Sequence, residues 1–410
     1  MEAFLNTAKE SSRIVSQLDN KRKNSILLQM AQALRDNSTL IIHQNREDIL
    51  LAEENNLSKS MIDRLLLDKT RIEAMAIAIE EIASSKDPIG NILDGWVTDD
   101  KLRIEKVSVP IGVIGIIYES RPNVTSDTAA LCFKSGNVCI LKGGKEAQYS
   151  NDVISKILRK VLLVNELPED IISLVPDPSR EGIAELIKMD KYIDLIIPRG
   201  GEELIKYISQ NSSIPVIKHD KGQCHIYLDK DASIQKALKI SMNAKCQRPG
   251  VCNAMETLLI DKTLAHIALP AIENAFLEHS TKLIGCEQTR EYIEADEATE
   301  ESYHTEYLAN ILNIKVVNGV YGAIEHINKY GSGHSDAIIT ESITTADIFL
   351  NNVDSSSVYV NASTRFTDGG AFGFGAEVGI STNKLHARGP MGIEGLTTYK
   401  FKIYGNGQIR

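Results

Sequence analysis

Residues 243–257 read Asn-Ala-Lys-Cys-Gln-Arg-Pro-Gly-Val-Cys-Asn-Ala-Met-Glu-Thr, and the interpretation of the whole chain starts from this segment. A helical pattern over 233–244 precedes it, and the Pro-Gly dipeptide at 249–250 predicts a turn that ends the helix. A short extended run over 257–260 follows the turn. Cys252 closes the turn, where backbone N–H groups outside any sheet ladder can stabilise a thiolate. The segment therefore predicts a helix, a turn that carries a reactive thiol, and a strand.

The neighbours of Cys252 favour a reactive thiol over a packing residue. Cysteine is among the most buried residue types, so an arbitrary cysteine usually fills space in a core. Arg248 and Asn253 are polar, which argues against a core position for this one. Lys245 and Arg248 also add positive charge, which favours the thiolate form. We therefore expect Cys252 to be a nucleophile.

Five further segments of the chain, in a fixed order with 243–257, carry a resemblance to a known family. They are Val-Pro-Ile-Gly-Val-Ile-Gly at 109–115, Tyr-Glu-Ser-Arg-Pro-Asn-Val-Thr at 118–125, Leu-Lys-Gly-Gly-Lys-Glu-Ala at 141–147, Ile-Pro-Arg-Gly-Gly at 197–201 and Val-Asn-Ala-Ser-Thr-Arg at 360–365. Each segment would be weak alone, but their order is specific. The chain resembles, over essentially its whole length, the gamma-glutamyl phosphate reductase family, also called glutamate-5-semialdehyde dehydrogenases, of the aldehyde dehydrogenase superfamily.

This resemblance implies an activity and a fold. The activity is the NADPH-dependent reduction of L-glutamyl 5-phosphate to L-glutamate 5-semialdehyde with release of phosphate, through a thioacyl intermediate on Cys252, as the second step of proline biosynthesis from glutamate. The fold is α/β, with a variant Rossmann cofactor domain, an α/β catalytic domain and a small β oligomerisation element. The labile substrate would come from a separate glutamate 5-kinase, and we expect functional coupling to it.

Composition limits the classes of protein to which the chain can belong. Its 410 residues suit two domains and an accessory element, and 43% hydrophobic residues suit a globular protein. A net charge of -10 argues against nucleic-acid and anionic-membrane partners. No apolar run approaches the length of a membrane span, and the first residues lack the pattern of a secretory signal. We therefore expect a cytoplasmic protein.

The cysteine and histidine pattern gives little support to a metal site. The six cysteines are too sparse for a disulfide framework and form no C-x-x-C pair. His219, Cys224 and His225 lie close together in sequence, but they lack the usual ligand spacings and an evident fourth ligand. We expect no metal.

The pattern of apolar runs predicts helices up to about residue 88, a hairpin over 96–109, and then two alternating strand–helix sets. Strands of the first set are predicted at 111–118, 138–141, 171–175 and 193–197, and those of the second at 256–260, 314–317, 336–339 and 358–361. The domain boundaries follow from these sets and from the resemblance. We expect a cofactor-binding domain at 1–93 and 110–228, a catalytic domain at 229–395, and an oligomerisation hairpin and strand at 94–109 and 396–410. The hairpin and the last strand have exposed edges, which favours a homo-oligomer, a dimer or larger.

Asn123 is the second expected catalytic residue. It lies just beyond the first predicted parallel strand, at the end where α/β folds bind ligands. Following the superfamily pattern, its side-chain amide and the backbone N–H of Cys252 would stabilise the oxyanion. An asparagine that merely forms a turn after Pro122 is the alternative.

The cofactor site is expected at the ends of two parallel strands. A cation, glycines and a helix start follow one strand at 142–145, which suits the ribose or a phosphate of a dinucleotide, and a solvated lysine is the alternative there. No G-x-G-x-x-G fingerprint is present, and the superfamily binds its nicotinamide cofactor without one. Glu306 matches a superfamily glutamate that contacts the nicotinamide-side ribose, or is a plain surface-helix residue. The expected NADPH-binding residues are Lys142, Gly143, Gly144, Lys145, Arg199, Gly200, Gly201 and Glu306.

The implied substrate carries a phosphate and a carboxylate, so its pocket should contain guanidinium groups. Arg121, Arg248 and Arg365 lie in family-like segments and are the candidates, without an assignment of which one binds phosphate. The region 219–225 lacks the glutamate that activates water in hydrolytic aldehyde dehydrogenases, which favours an acyl-phosphate substrate. Cys246 stands where the family has threonine, and it is either a redox partner of Cys252 or a small residue at a helix end.

Two other functions stay open at this point. One is a dehydrogenase that oxidises a different aldehyde, and the other is a catalytically silent relative that serves as a binding or scaffold protein. The presence of Cys252 and Asn123 argues against the silent relative.

Overall fold

The computed structural model describes residues 1–218 and 221–410. The helices are α1 (Glu2–Val15), α2 (Asn20–Asp36), α3 (Ser38–Glu54), α4 (Lys59–Leu65), α5 (Lys69–Ser84), α6 (Asn123–Lys134), α7 (Gln148–Val164), α8 (Arg180–Leu186), α9 (Glu202–Asn211), α10 (Ile234–Cys246), α11 (Ala265–Leu277), α12 (Glu287–Arg290), α13 (Glu300–His304), α14 (Gly319–Tyr330) and α15 (Ile343–Asn352). The strands are β1 (Ile92–Val97), β2 (Arg103–Pro110), β3 (Val113–Tyr118), β4 (Val138–Gly143), β5 (Ile172–Leu174), β6 (Leu195–Arg199), β7 (Cys224–Leu228), β8 (Met255–Asp261), β9 (Lys282–Gly285), β10 (Asp296–Glu297), β11 (Ile311–Val317), β12 (Ser335–Ile339), β13 (Ser357–Val360), β14 (Gly379–Ser381), β15 (Gly389–Met391) and β16 (Thr397–Tyr404).

The chain divides into two compact units. Unit 1 comprises 1–218, 373–379 and 391–410, and unit 2 comprises 219–372 and 380–390. The boundary therefore lies about ten residues before the expected one at Asp229. Strand β7 is the physical reason, because it pairs with β8 and β12 and so belongs to the sheet of the second unit.

Unit 1 contains a four-stranded parallel sheet in the order β5-β4-β3-β6. Its central strands β3 and β4 are buried along their whole length, as expected for strands covered on both faces. The order of strands changes direction between β3 and β6, and such a switch leaves a crevice at the carboxyl ends where α/β proteins bind ligands. The fold thus places the loops after β3 and β6 at a ligand-binding position.

The five N-terminal helices follow the predicted pattern. Leu27, Met30 and Leu34 of α2 are fully buried, and so is Ile79 of α5. The apolar residues repeat every three or four positions, so each helix buries one face and leaves the other in water. The prediction of a helical N-terminal layer is confirmed.

A separate three-stranded antiparallel sheet in unit 1 has the order β1-β2-β16. The turn at 98–101 joins β1 to β2, as the sequence predicted, and Phe401 of β16 lies opposite Lys106 of β2. The hairpin and the last strand were expected as two edges that need partners, whereas here β16 covers one edge of β2. The aromatic side chains of Trp96, Tyr399 and Phe401 remain about half exposed.

Unit 2 is built on a seven-stranded parallel sheet in the order β10-β9-β11-β8-β7-β12-β13. Successive residues of β7 point to opposite faces: Ile226 and Leu228 lie in one apolar cluster and Tyr227 in another. Apolar clusters therefore cover both faces of the sheet, which fixes its strands as a rigid base. A two-stranded ribbon of β14 and β15 completes the topology.

The eight strands predicted for the two parallel sheets are found with shifts of up to three residues at their ends, and β7, β9, β10, β14 and β15 were not predicted. No helix in the described residues is both long and apolar enough to cross a membrane.

Candidate active site

Cys252 lies in the turn between α10 and β8, as the sequence predicted. The turn is at the amino end of β8, next to the amino end of β7, and the Cys252 side chain is partly exposed. In the described part of the chain no cysteine forms a disulfide. Helix, turn and strand therefore present the thiol at one edge of the unit 2 sheet.

The backbone of the segment before β7 supports this turn from one side. The Cys224 thiol donates to the carbonyl oxygen of Cys252, with 3.2 Å between sulfur and oxygen. Gly222 approaches so closely that a Cβ atom there would lie 1.9 Å from the same oxygen. Only glycine fits this position, because every other residue would push the turn away.

The segment around the 3₁₀ turn Thr364–Phe366 supports the nucleophile turn from the other side. The Asn253 side-chain amide donates to the Thr367 carbonyl at 2.9 Å, and the Thr364 hydroxyl donates to the Asn253 carbonyl at 2.7 Å. The Arg365 guanidinium donates to the side-chain oxygen of Asn253. The residue after the thiol is thus fixed by both its backbone and its side chain.

Two arginines lie close to each other near Cys252. Burial lowers the pKa of Arg365, and the neighbouring Arg248 lowers it further, while Asp368 acts in the opposite sense. Arg365 also donates from Nε to Gln247 at 3.1 Å. Two neighbouring guanidinium groups repel each other unless an anion lies between them, so this arrangement favours an anionic ligand.

Beneath the turn lies an ion pair that is inaccessible to solvent. Lys245 Nζ is 2.9 Å from Glu256 Oε2, and both side chains are fully buried. Burial lowers the pKa of Lys245, and burial together with the nearby Glu306 raises the pKa of Glu256 to about 7. The ammonium group of Lys245 is committed to Glu256, which corrects the expectation that it stabilises the Cys252 thiolate.

In unit 1 the loops after β3, β4 and β6 are joined by two carboxylates. Glu119 accepts a hydrogen bond from the Gly201 N–H at 2.9 Å. Glu146 accepts from both the N–H and the hydroxyl of Ser120, at 2.7 and 2.9 Å. A Cβ atom at Gly200 would lie 2.4 Å from a carboxylate oxygen of Glu119. These contacts make one assembled surface of loops at the carboxyl ends of the sheet.

Comparison with known proteins decides the family. The model of the aldehyde dehydrogenase family matches residues 1–282. A gamma-glutamyl phosphate reductase of Sulfurovum sp. (strain NBC37-1) is 67% identical, and one of Sulfurimonas denitrificans is 65% identical, each over 100% of both chains. The chain belongs to the gamma-glutamyl phosphate reductases of the aldehyde dehydrogenase family.

Solved structures agree with this assignment. The crystal structure of gamma-glutamyl phosphate reductase from Thermotoga maritima superposes with a TM-score of 0.98 at 44% identity, covering 100% of this chain and 99% of that one. An acetylating aldehyde dehydrogenase from Geobacillus thermoglucosidasius shares the fold, with a TM-score of 0.70 at 17% identity over 100% of this chain and 97% of that one. The protein is therefore an oxidoreductase of the aldehyde dehydrogenase fold, in a family that uses nicotinamide cofactors.

The residues expected to bind the family's cofactor are divided between the two units. In unit 1, Lys142, Gly143 and Arg199 lie at the carboxyl ends of β4 and β6, and Gly144, Lys145, Gly200 and Gly201 lie in the segments that follow these strands. Lys142 is buried within β4, so the alternative of a solvated lysine is wrong for it, whereas Lys145 is exposed. Burial lowers the pKa of Lys142.

Glu306 lies in unit 2, beyond the end of α13, so the surface-helix alternative is wrong. Its carboxylate accepts a hydrogen bond from the Gly222 N–H at 2.9 Å. Glu306 therefore contacts the same glycine that packs against the Cys252 carbonyl.

The remaining site residues expected from the family pattern have definite positions. Asn123 is the first residue of α6 rather than part of a free turn, and its amide donates to Asp127. Arg121 is exposed in unit 1, apart in sequence from the arginine pair of unit 2. Cys246 ends α10 and packs partly into the core, with its sulfur 3.6 Å from the Thr281 hydroxyl, which supports the neutral role over a redox role.

Two expectations concern residues 219 and 220, which lie outside the described residues. His219 belongs to the weighed metal cluster, and both residues belong to the region that lacks a water-activating glutamate. Within 1–218 and 221–410 no group of three or more His, Cys, Asp or Glu side chains could hold a metal ion. The absence of a metal stays a prediction.

Sequence reasoning missed Gly222, Cys224, Asp127 and Glu256. Their roles depend on contacts between segments distant in sequence, except for Asp127, whose spacing of four from Asn123 on a helix was a usable signal.

We expect Gly222→Ala to damage the site. The added methyl group must displace the Cys252 carbonyl, and a shift of about 1 Å at a reacting group lowers activity roughly 100-fold. Overpacking of this kind also destabilises a fold by about 1–3 kcal/mol. Oxidoreductase activity, thermal unfolding, and the rate at which iodoacetamide labels Cys252 would all be measured.

Gly322→Ala on α14 is the matched control, since its Cβ would meet nothing closer than 3.6 Å. Wild-type activity and labelling of Gly222→Ala would show that the close approach is unimportant.

Proposed function

We propose that the protein reduces L-glutamyl 5-phosphate to L-glutamate 5-semialdehyde with NADPH and releases phosphate, as the second step of proline biosynthesis from glutamate. The observation that carries the proposal is the placement of Cys252 in a rigid turn beside Arg248 and Arg365. A thiol next to paired guanidinium groups suits a substrate whose leaving group is an anion. The names of the full-length relatives support the same substrate.

In this proposal Cys252 attacks the acyl carbon as a thiolate. The oxyanion receives hydrogen bonds from the Cys252 N–H and the Asn123 amide, and the C–O bond to phosphate breaks to leave a thioacyl enzyme. Arg248 and Arg365 bind the departing phosphate, and Arg121 is the candidate for the substrate carboxylate. Reduction of the acyl carbon gives the alkoxide of a thiohemiacetal on Cys252. Its C–S bond then breaks, which releases the aldehyde and restores the thiolate.

NADPH supplies the hydride for the reduction when it is bound. The residues present fit a dinucleotide: buried Lys142 and exposed Lys145 offer charge at the end of β4. At Gly143 and Gly200 a Cβ atom would meet Asn151 and Glu119, so glycine is what lets these segments pack closely. Arg199 and Gly201 lie on the adjoining loop. Glu306 is assigned to the nicotinamide-side ribose by the family pattern.

The substrate is an acyl phosphate, which hydrolyses readily in water. We propose that a separate glutamate 5-kinase supplies it and that the two enzymes are functionally coupled.

The test of the function is a coupled assay. Purified glutamate 5-kinase, glutamate and ATP would generate the substrate, and NADPH oxidation would be followed with and without this enzyme. We expect Cys252→Ala to lose activity by at least about 1,000-fold, since Cys252 is the proposed carrier of the acyl intermediate. Cys246→Ala should keep most of the activity, because Cys246 is a packing residue. Activity lost in Cys246→Ala and kept in Cys252→Ala would overturn the nucleophile assignment.

Cofactor choice is tested with Lys145→Glu. A negative charge where a 2'-phosphate is expected should weaken the binding of NADPH by roughly tenfold or more. The binding of NADH should stay nearly unchanged, because only NADPH carries that phosphate. KM values for both cofactors would be compared. Lys160→Glu makes the same charge change at an exposed position of α7 and controls for the effect of the protein's net charge on cofactor binding. Equal weakening of both cofactors would remove this role from Lys145.

We also propose that the protein is a homo-oligomer, at least a dimer. The sheet β1-β2-β16 has two strand edges and a half-exposed aromatic face, and such edges are normally covered. Light scattering after gel filtration should give at least twice the chain mass, and Phe401→Lys should lower it. Tyr321→Lys, at an exposed aromatic on α14, should not. A wild-type monomer at micromolar concentration contradicts the proposal.

A further inference from the structure

We propose that Asp127 is a positioning residue for Asn123: its carboxylate holds the amide so that a nitrogen-bound hydrogen faces the ligand. This inference rests on the proposed function, which assigns Asn123 to the oxyanion.

Asn123 and Asp127 lie one helical turn apart at the start of α6. The Asn123 Nδ2 atom donates to Asp127 Oδ2 at 2.9 Å. Side chains four residues apart on a helix face each other, so the pair forms without distortion of the backbone. The first turn of α6 begins at the carboxyl end of β3, where α/β folds bind ligands. The hydrogen bond is therefore made within the expected site.

An ionised carboxylate can only accept hydrogen bonds, whereas an asparagine amide has a donor end and an acceptor end. The two ends have nearly the same shape, so an amide without a selective partner can turn over. Asp127 selects Nδ2, because Oδ1 of Asn123 would meet the carboxylate with like partial charge. Nδ2 carries two hydrogens, and Asp127 uses one. The second stays available to an oxyanion, which a flipped amide would repel with its own oxygen.

Other contacts fix Asp127 in turn. The Ser126 hydroxyl lies 3.2 Å from Asp127 Oδ1 and donates to the Asn123 carbonyl at 2.9 Å. Burial raises the pKa of Asp127 to about 6, and the hydrogen bond from Asn123, the nearby Ser126 hydroxyl and the charge of Arg199 act in the opposite sense. The carboxylate is therefore mostly ionised at neutral pH, which is the form that selects the amide nitrogen. Asn123, Ser126 and Asp127 make a closed set of contacts around the proposed donor.

Support of the helix is the plainer role for Asp127. An acidic residue in the first turns of a helix interacts favourably with its dipole, and α6 has no side-chain cap at Pro122. That role would lower stability on substitution but would not depend on Asn123. The two roles therefore differ in how the effects of substitutions combine.

The experiment is a double-mutant cycle in the kinase-coupled assay, with wild type, Asp127→Ala, Asn123→Ala and the double variant. We expect Asn123→Ala to lower kcat about 100-fold or more, as for the loss of one oxyanion donor. Asp127→Ala should lower kcat about tenfold with little change in the KM for NADPH. In the double variant kcat should equal that of Asn123→Ala. Asp127→Asn keeps the shape but no longer selects the nitrogen, so its kcat should fall between wild type and Asp127→Ala.

Thermal unfolding of each variant separates folding defects from kinetic ones. If Asp127→Ala lowered kcat by the same factor in the presence and in the absence of Asn123, the inference would be overturned. A lower unfolding temperature of Asp127→Ala with unchanged kcat would also overturn it. Unchanged kcat in Asn123→Ala would overturn both the inference and the oxyanion assignment. In that case loss of activity in Cys252→Ala would still support the rest of the proposed function.

Discussion

The close approach of Gly222 to the Cys252 carbonyl is the constraint on which the Cys252 turn of unit 2 depends. Two backbones meet there without a side chain between them. This contact aligns the start of β7 with the turn that precedes β8, and it brings the Cys224 thiol within hydrogen-bonding distance of the same carbonyl. The contacts of Asn253 stabilise the turn from the opposite side. Together these contacts involve the backbone carbonyl groups of Cys252, Asn253 and Thr367.

The two units provide different chemistry on similar frames. Both have parallel sheets, but unit 2 carries the Cys252 thiol at the amino edge of its sheet, whereas unit 1 has glycine-rich loops at the carboxyl edge. In unit 1 the carboxylates of Glu119 and Glu146 accept backbone hydrogen bonds and so hold neighbouring loops in place. These loops need little reorganisation when a ligand binds, since both carboxylates already accept hydrogen bonds.

Much of this arrangement could be predicted from the sequence, for reasons that are local. The helix before Cys252, the Pro-Gly turn and the strand after it are encoded within fifteen residues, so the turn that carries Cys252 was predicted correctly. The strands β3, β4 and β6 are continuous apolar runs and were found for the same reason. Strand β7 was missed as part of the second sheet because its partners β8 and β12 lie far along the chain. The commitment of Lys245 to Glu256 was missed because nothing in the spacing of the two residues shows that both are buried. The need for glycine at position 222 could not be predicted, since the atom that a side chain there would meet belongs to a residue thirty positions later.

The pairing of β16 with β2 also has a consequence for how the chain is made. Strand β2 ends at Pro110 and β16 begins at Thr397, so 397 − 110 = 287 positions separate them. At synthesis rates of about 5–20 residues per second, the hairpin of β1 and β2 emerges from the ribosome roughly 15–60 s before its third strand. During that interval it has one more open edge and no covering aromatic residues from β16. The chain is therefore most prone to unwanted association while it is still being translated. The risk falls once β16 has been synthesised and has paired with β2.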